Sequence, residues 1–118
     1  MTLFAIIHDE QPIPQSRARV TRHGTFYGKT ATAYRKGLTW CMKAAHYGPP
    51  LQGPLSVSIG IAGARADSDL DNHAKMVLDA LQDAGVIPSD DLRVVRELLV
   101  MVVEGEPSTI VSIKAHGS

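Results

Sequence analysis

Residues 55–85 read LSVSIGIAGARADSDLDNHAKMVLDALQDAG, and the change of period inside this stretch decides the fold class. In its first part Leu55, Val57, Ile59 and Ile61 alternate with small residues, the period-2 signature of a half-buried strand. From Asn72 to Ala84 the apolar positions Ala74, Val77, Leu78 and Leu81 follow i, i+3, i+4, i+7 spacing, which is the stripe of an amphipathic helix. Gly85 stands where a helix C′ residue belongs. Gly60 and Gly63 point to a bulge or a close backbone approach near the strand's end. The stretch is therefore a strand followed by a helix, and the junction between them is where the charge collects.

Around it, LFAIIHD (3–9) reads as a first strand, and 30–47 as a first helix with Ala33, Tyr34, Gly37, Leu38, Cys41, Ala44 and Ala45 along one stripe. Thr30 is expected to cap that helix and GPP (48–50) to end it. Between these two elements, EQPIPQSRARVTRHGTFYG is too rich in Pro, Gly and cations for a regular buried element and reads as a long exposed loop or ribbon. LRVVRELLVMVVE (92–104) reads as one long strand or a bent pair, and STIVSIKA (108–115) as a last strand beyond Pro107. The expectation is a single α+β domain over 1–118, a mixed sheet of about four strands with two main helices.

Composition sets outer limits. The chain is 44% hydrophobic and 20% charged, which suits a folded globular domain and not a disordered one. Cys41 is the only cysteine, so no intramolecular disulfide can form. No apolar run approaches the roughly 18 residues of a membrane span, and the N-terminus lacks the basic n-region of a signal peptide. A cytoplasmic protein is expected. Its formal net charge is zero, but residues 1–66 carry eight Lys/Arg against Asp9 and Glu10, while residues 67–118 carry four against ten acids. Nucleic acid bound with a divalent cation would satisfy both halves; so would plain attraction between them.

The acidic run places Asp67, Asp69 and Asp71 at every second position. If the strand continued into this segment, all three carboxylates would point to one side. Lys75 is i, i+4 from Asp71 and can reach back to the same place. Several carboxylates at a strand-to-helix junction form a hard-oxygen cluster suited to Mg²⁺ or Mn²⁺. The ordinary alternative is helix capping, which accounts for one carboxylate and leaves the others repelling. An EF-hand is excluded, because its sixth and twelfth positions fall on Asn72 and Leu78 where glycine and glutamate are needed. A second acidic pair, Asp90 and Asp91, follows one helix later, and folding the next strand back beside the first would bring one of them to the same end of the sheet.

DLDNHAKMVLDALQDAGVIPSDDLRV (69–94) closely resembles the motif block of the RusA family, Holliday junction resolvases of phages and prophages. The pattern is D-x-D-N, a lysine three residues after the asparagine, an aspartate and a leucine within the helix, a glycine, then D-D and a valine. Every position is filled. PIPQSRARVTRHGTFYGKTATAYR also looks like the family's proline-and-arginine loop, although Gln15 stands where many members have lysine. The resemblance implies a RusA-like fold and a homodimeric endodeoxyribonuclease that acts on four-way DNA junctions with Mg²⁺ or Mn²⁺. It maps the catalytic, metal-holding carboxylates to Asp69, Asp71 and Asp91, with Asp90 as the neighbouring choice for the third, and the family lysine to Lys75. Asp67 falls outside the motif. Arg17, Arg19, Arg22, Lys29, Arg35 and Lys36 are the candidate DNA surface, with His23, Phe26 and Tyr27 either stacking at an opened junction or packing in the core. A broader nuclease acting on forks and flaps, and a non-catalytic DNA-binding module, are the competing readings.

Overall fold

The structure, a computed structural model, describes residues 1–15, 19–21, 24–26 and 28–117, of which 19–21 and 24–26 are described in backbone only. Its elements run β1 (Thr2–His8), β2 (Arg19–Thr21), β3 (Gly24–Phe26), α1 (Lys29–Ala45), β4 (Leu55–Ala62), α2 (Leu70–Asp83), β5 (Val95–Val102) and β6 (Ser108–Ala115). Four strands form a mixed sheet in the order β1-β6-β4-β5, and β2 and β3 form a separate small ribbon within the arginine-rich segment. The fold is α+β, as the change of period in 55–85 predicts.

Pairing is antiparallel between β1 and β6 and between β6 and β4, but parallel between β4 and β5, where Leu55 lies opposite Val95 and Ile61 opposite Val102. A parallel neighbour requires a crossover, and α2 is that crossover. Both helices cover one face of the sheet. Phe4 and Ile6 of β1, Val57, Ile59 and Ile61 of β4, and Val111 and Ile113 of β6 meet Leu38 and Met42 of α1 and Met76, Val77, Ala80 and Leu81 of α2 in a single core. The alternation in β4 is thus realised as expected.

Two details of the helices differ from the sequence reading. The buried stripe of α1 is Ala31, Tyr34, Leu38 and Met42, while Ala33, Ala44 and Ala45 face solvent. Alanine is too small to pull a helix face inward against a methionine that removes far more apolar surface from water. Nor does Thr30 cap α1. Gly28 occupies the N-cap, and the Thr32 hydroxyl donates back to the Gly28 carbonyl at 3.0 Å. The end of α2 follows expectation: Gly85 takes φ +74°, its N–H donates to the Gln82 carbonyl at 3.1 Å, and Val86 N–H donates to that of Leu81 at 3.0 Å. Gly63 is the close approach expected after β4. It has φ +73°, and a Cβ there would lie 2.8 Å from Pro107 Cα. Gly60, by contrast, keeps regular pairing with both neighbouring strands.

β5 is an edge strand, and it is poorly protected. Leu98, Leu99, Met101 and Val102 are all exposed, Val102 by 75%. Among the described residues, no helix is long and apolar enough to cross a membrane.

Candidate functional site

β4 ends at Ala62, so the acidic run is not a continuation of the strand. Residues 63–69 turn instead, and the period-2 alignment of Asp67, Asp69 and Asp71 does not form. Asp67 points into a bidentate pair with Arg65, at 3.1 and 2.9 Å, with both side chains exposed. Asp69 becomes the N-cap of α2 in extended backbone geometry (φ −89°, ψ 133°), and Asp71 sits in the first turn. Asp69 makes no side-chain cap bond. Neither carboxylate has a hydrogen-bond or ion-pair partner among the described residues. The free N–H groups and partial positive charge of the helix start make two adjacent anions tolerable there.

A short chain of hydrogen bonds fixes this junction. Ser68 Oγ donates to the Arg65 carbonyl at 2.6 Å, which leaves it to accept from His73 Nε2 at 2.9 Å. His73 is 3% exposed, and burial lowers its pKa, so the ring is held neutral with its proton on Nε2. The loop is thereby tied to the second turn of α2, and the two aspartates stand between the ties. Sequence reasoning passed over both Ser68 and His73. A lone histidine in a helix carries no period or spacing that separates it from its neighbours.

Lys75 follows one turn on. Its Nζ donates to Asp79 Oδ1 at 3.0 Å, an i, i+4 bridge that points it along α2 away from Asp71. Asp79, only 13% exposed, is a hub: Gln15 Nε2 donates to its other oxygen at 2.8 Å, and Arg35 NH1 lies 3.8 Å away. Gln15 is tied a second time, its backbone N–H donating to the Asn72 carbonyl at 3.0 Å. The residue at the start of the arginine-rich segment is therefore anchored on α2 between the acidic turn and the lysine.

The basic residues divide. Lys29 and Lys36 are exposed on α1. Arg35 is committed to α2, with Nε and NH2 on the two oxygens of Asp83 at 2.6 and 2.9 Å. Arg19 lies in β2, its side chain outside the described residues, as are Arg17 and Arg22 altogether, together with His23 and Tyr27. Phe26 belongs to β3 in backbone only.

Asp91 departs most from expectation. It lies in the turn before β5, where Val94 and Val95 N–H donate to its carbonyl and Leu55 N–H donates to that of Val94. Asp91 is thus beside the start of β4, whereas Asp69 follows its end. A cleft lined by Gly63, Arg65, Ser68, Leu70 and Val102 puts the α2 start next to the far end of β5. An eight-residue strand at about 3.3 Å per residue separates the two ends by roughly 25 Å. The cause is the parallel crossover. Fourteen residues of α2 run back about 21 Å along the sheet, and the connection over 84–94 stays at that end, bonded to Leu51 and Leu55, until the chain enters β5.

The Asp91 carboxylate is also occupied. Arg93 donates to it from its backbone N–H at 3.0 Å, from Nε at 3.3 Å and from NH2 at 2.7 Å. These bonds, the guanidinium first, lower its pKa to about 2. Among the described residues no group of three or more His, Cys, Asp or Glu side chains comes together to hold a metal ion. Asp69, Asp71 and Asp91 of a single chain do not make a metal site.

With this geometry in hand, comparison with known proteins is informative. The family model of endodeoxyribonuclease RusA matches residues 9–114. The chain belongs to the RusA family. The match takes in β4, β5 and nearly all of β6, both helices, the acidic junction and the Asp91 turn, and leaves out β1. RusA membership makes this an endodeoxyribonuclease fold of the kind that acts on branched DNA junctions. No curated protein gives a significant match to the chain.

Proposed function

We propose that this RusA-family protein resolves four-way DNA junctions by paired, Mg²⁺- or Mn²⁺-dependent phosphodiester hydrolysis as a homodimer. The observation that carries the proposal is the separation of the family's carboxylates to opposite ends of β5, with an exposed apolar strand edge between them. An unpaired apolar edge is a template for pairing with a second strand. Antiparallel pairing of two β5 edges about a two-fold axis lays the start of one strand beside the end of the other. Asp69 and Asp71 would then meet the partner's Asp91. A three-carboxylate set that one chain lacks becomes available twice in the pair, which matches the two symmetric cuts that a four-way junction requires.

When bound, a divalent ion there would acidify a water and offset charge growing on the phosphoryl oxygens. The chain's own groups have separate tasks. Asp69 and Asp71 stand free to serve as ligands, held by the Ser68–His73 tie. Lys75, oriented by Asp79, supplies fixed positive charge toward the scissile phosphate. Lys29 and Lys36, with Arg17, Arg19 and Arg22 of the segment anchored through Gln15, neutralise flanking phosphates and position the DNA without reading its bases.

The test compares cleavage of a four-way junction, a fork and a plain duplex, each with Mg²⁺ and with EDTA. Preferential junction cutting that EDTA abolishes is expected; equal cutting of forks would favour the broader nuclease, and binding without any cutting the non-catalytic module. Asp71→Asn should bind the junction with wild-type affinity and fail to cut it. Cutting at the wild-type rate would remove Asp71 from the metal set.

A further inference from the structure

The acidic site leaves one face of α1 unused. Lys36, Trp40 and Lys43 follow i, i+4, i+7 spacing and share that face. They line a groove of about 420 Å³, within the size range of small-ligand sites, with Thr32 and Thr39 beside them and Gln15 and Arg35 at one side. Trp40 is 67% exposed, although an indole is among the side chains that gain most from burial. Lys43 Nζ lies 5.3 Å from the indole centroid, within cation–π range. Asp83 is the one carboxylate of the lining, and Arg35 neutralises it through two hydrogen bonds. Lys36 and Lys43 have no carboxylate partner among the described residues, so the groove is net positive around an accessible aromatic ring.

We propose that this groove binds an unpaired nucleotide of the branched DNA, its base stacked on Trp40 and its phosphates against Lys36 and Lys43. The inference rests on the junction reading above and adds a subsite to it. A positive groove beside an exposed aromatic ring is the arrangement that holds single-stranded nucleic acid, since every base offers a π-face and every linkage a charge. Paired bases are already stacked on their neighbours, so the indole discriminates for nucleotides splayed out at a branch point. The exposed ring and paired lysines set the groove apart from the β5 edge, whose exposed residues Leu98, Leu99, Met101 and Val102 are aliphatic.

Trp40 is the only tryptophan of the chain, so its emission reports this groove alone. The full chain is titrated in EDTA with a fluorescein-labelled four-way junction, a fork with a single-stranded arm and a plain duplex, reading indole emission and DNA anisotropy together. The junction and the fork should quench Trp40 in step with the rise in anisotropy, and the duplex should bind without quenching. Trp40→Ala should weaken junction binding about 5- to 100-fold, and Trp40→Phe, which keeps a ring to stack on, by much less. Anisotropy that saturates with unchanged emission, or equal affinity of wild type and Trp40→Ala, would overturn the subsite while leaving junction binding intact. Quenching that follows protein concentration without DNA would assign Trp40 to a contact between copies and overturn it too. A wild-type chain that binds no junction at all would defeat the junction reading itself.

Discussion

A single guanidinium decides the state of Asp91. Arg93 reaches it through three donors, which lower its pKa to about 2 and keep the carboxylate ionised at neutral pH. Because the folded value lies below the unfolded one, the pair stabilises the fold above the unfolded pKa of 3.8 and loses that contribution as pH falls through about 2. Arg93→Ala should return the Asp91 titration, followed by carboxyl NMR, toward the ordinary aspartate range; a value still near 2 would place the cause elsewhere. The sequence displayed Asp91 and Arg93 side by side two positions apart, yet their pairing was hidden. Residues at i and i+2 diverge on a helix and share a face in a strand, so their bidentate pairing here depends on the local turn, and nothing in SDDLRV specifies which turn forms. Asp69 and Asp71 stand close together for a reason other than the expected strand alignment: α2 begins at Leu70, two residues ahead of Asn72 where the periodic stretch opens, and its start sets their geometry.

At the scale of the element, α2 holds both the proposed ligands Asp69 and Asp71 at its start and the residues that fix them. Its amphipathic stripe could be read from spacing, because burial of Ala74, Val77 and Leu81 is a property of the 3.6-residue repeat. The tie through His73 could not be read, since the same histidine would be equally at home in solvent. That tie has a pH signature. Burial lowers the folded pKa of His73, so the unfolded chain binds the proton more readily, and stability falls as pH drops below the unfolded value of 6.5. His73→Gln should flatten the stability profile between about pH 7 and pH 5, by no more than about 1.4 kcal/mol per pH unit in urea unfolding. An unchanged slope would mean that the ring already titrates freely. On α1 the expected stripe lies a fraction of a turn from the buried one, because several alanines make the apolar stripe wider than the surface that is covered.

At the scale of the whole molecule, the sequence offers candidates for the site but not their arrangement. Strand periodicity is the same for parallel and antiparallel neighbours, so β5 could run either way beside β4 and set Asp91 at either end of the sheet; the α2 crossover makes the pair parallel and puts Asp91 at the end away from Asp69. If the site is completed across a dimer, subunits with different defects should rescue each other. In a mixed dimer of Asp71→Asn and Asp91→Asn chains, the first supplies an intact Asp91 to the second's intact Asp69 and Asp71. One complete site results, the other being doubly defective. Each variant alone should be inactive, and the refolded mixture should nick one strand of a four-way junction, with up to half of the dimers being heterodimers. Sites contained within single chains give no activity in any combination, so a silent mixture would refute the shared site. Leu99→Lys sets a charge on the exposed β5 edge; in the proposed dimer it should give a monomer by light scattering and abolish cutting, while the buried face of the sheet keeps the fold.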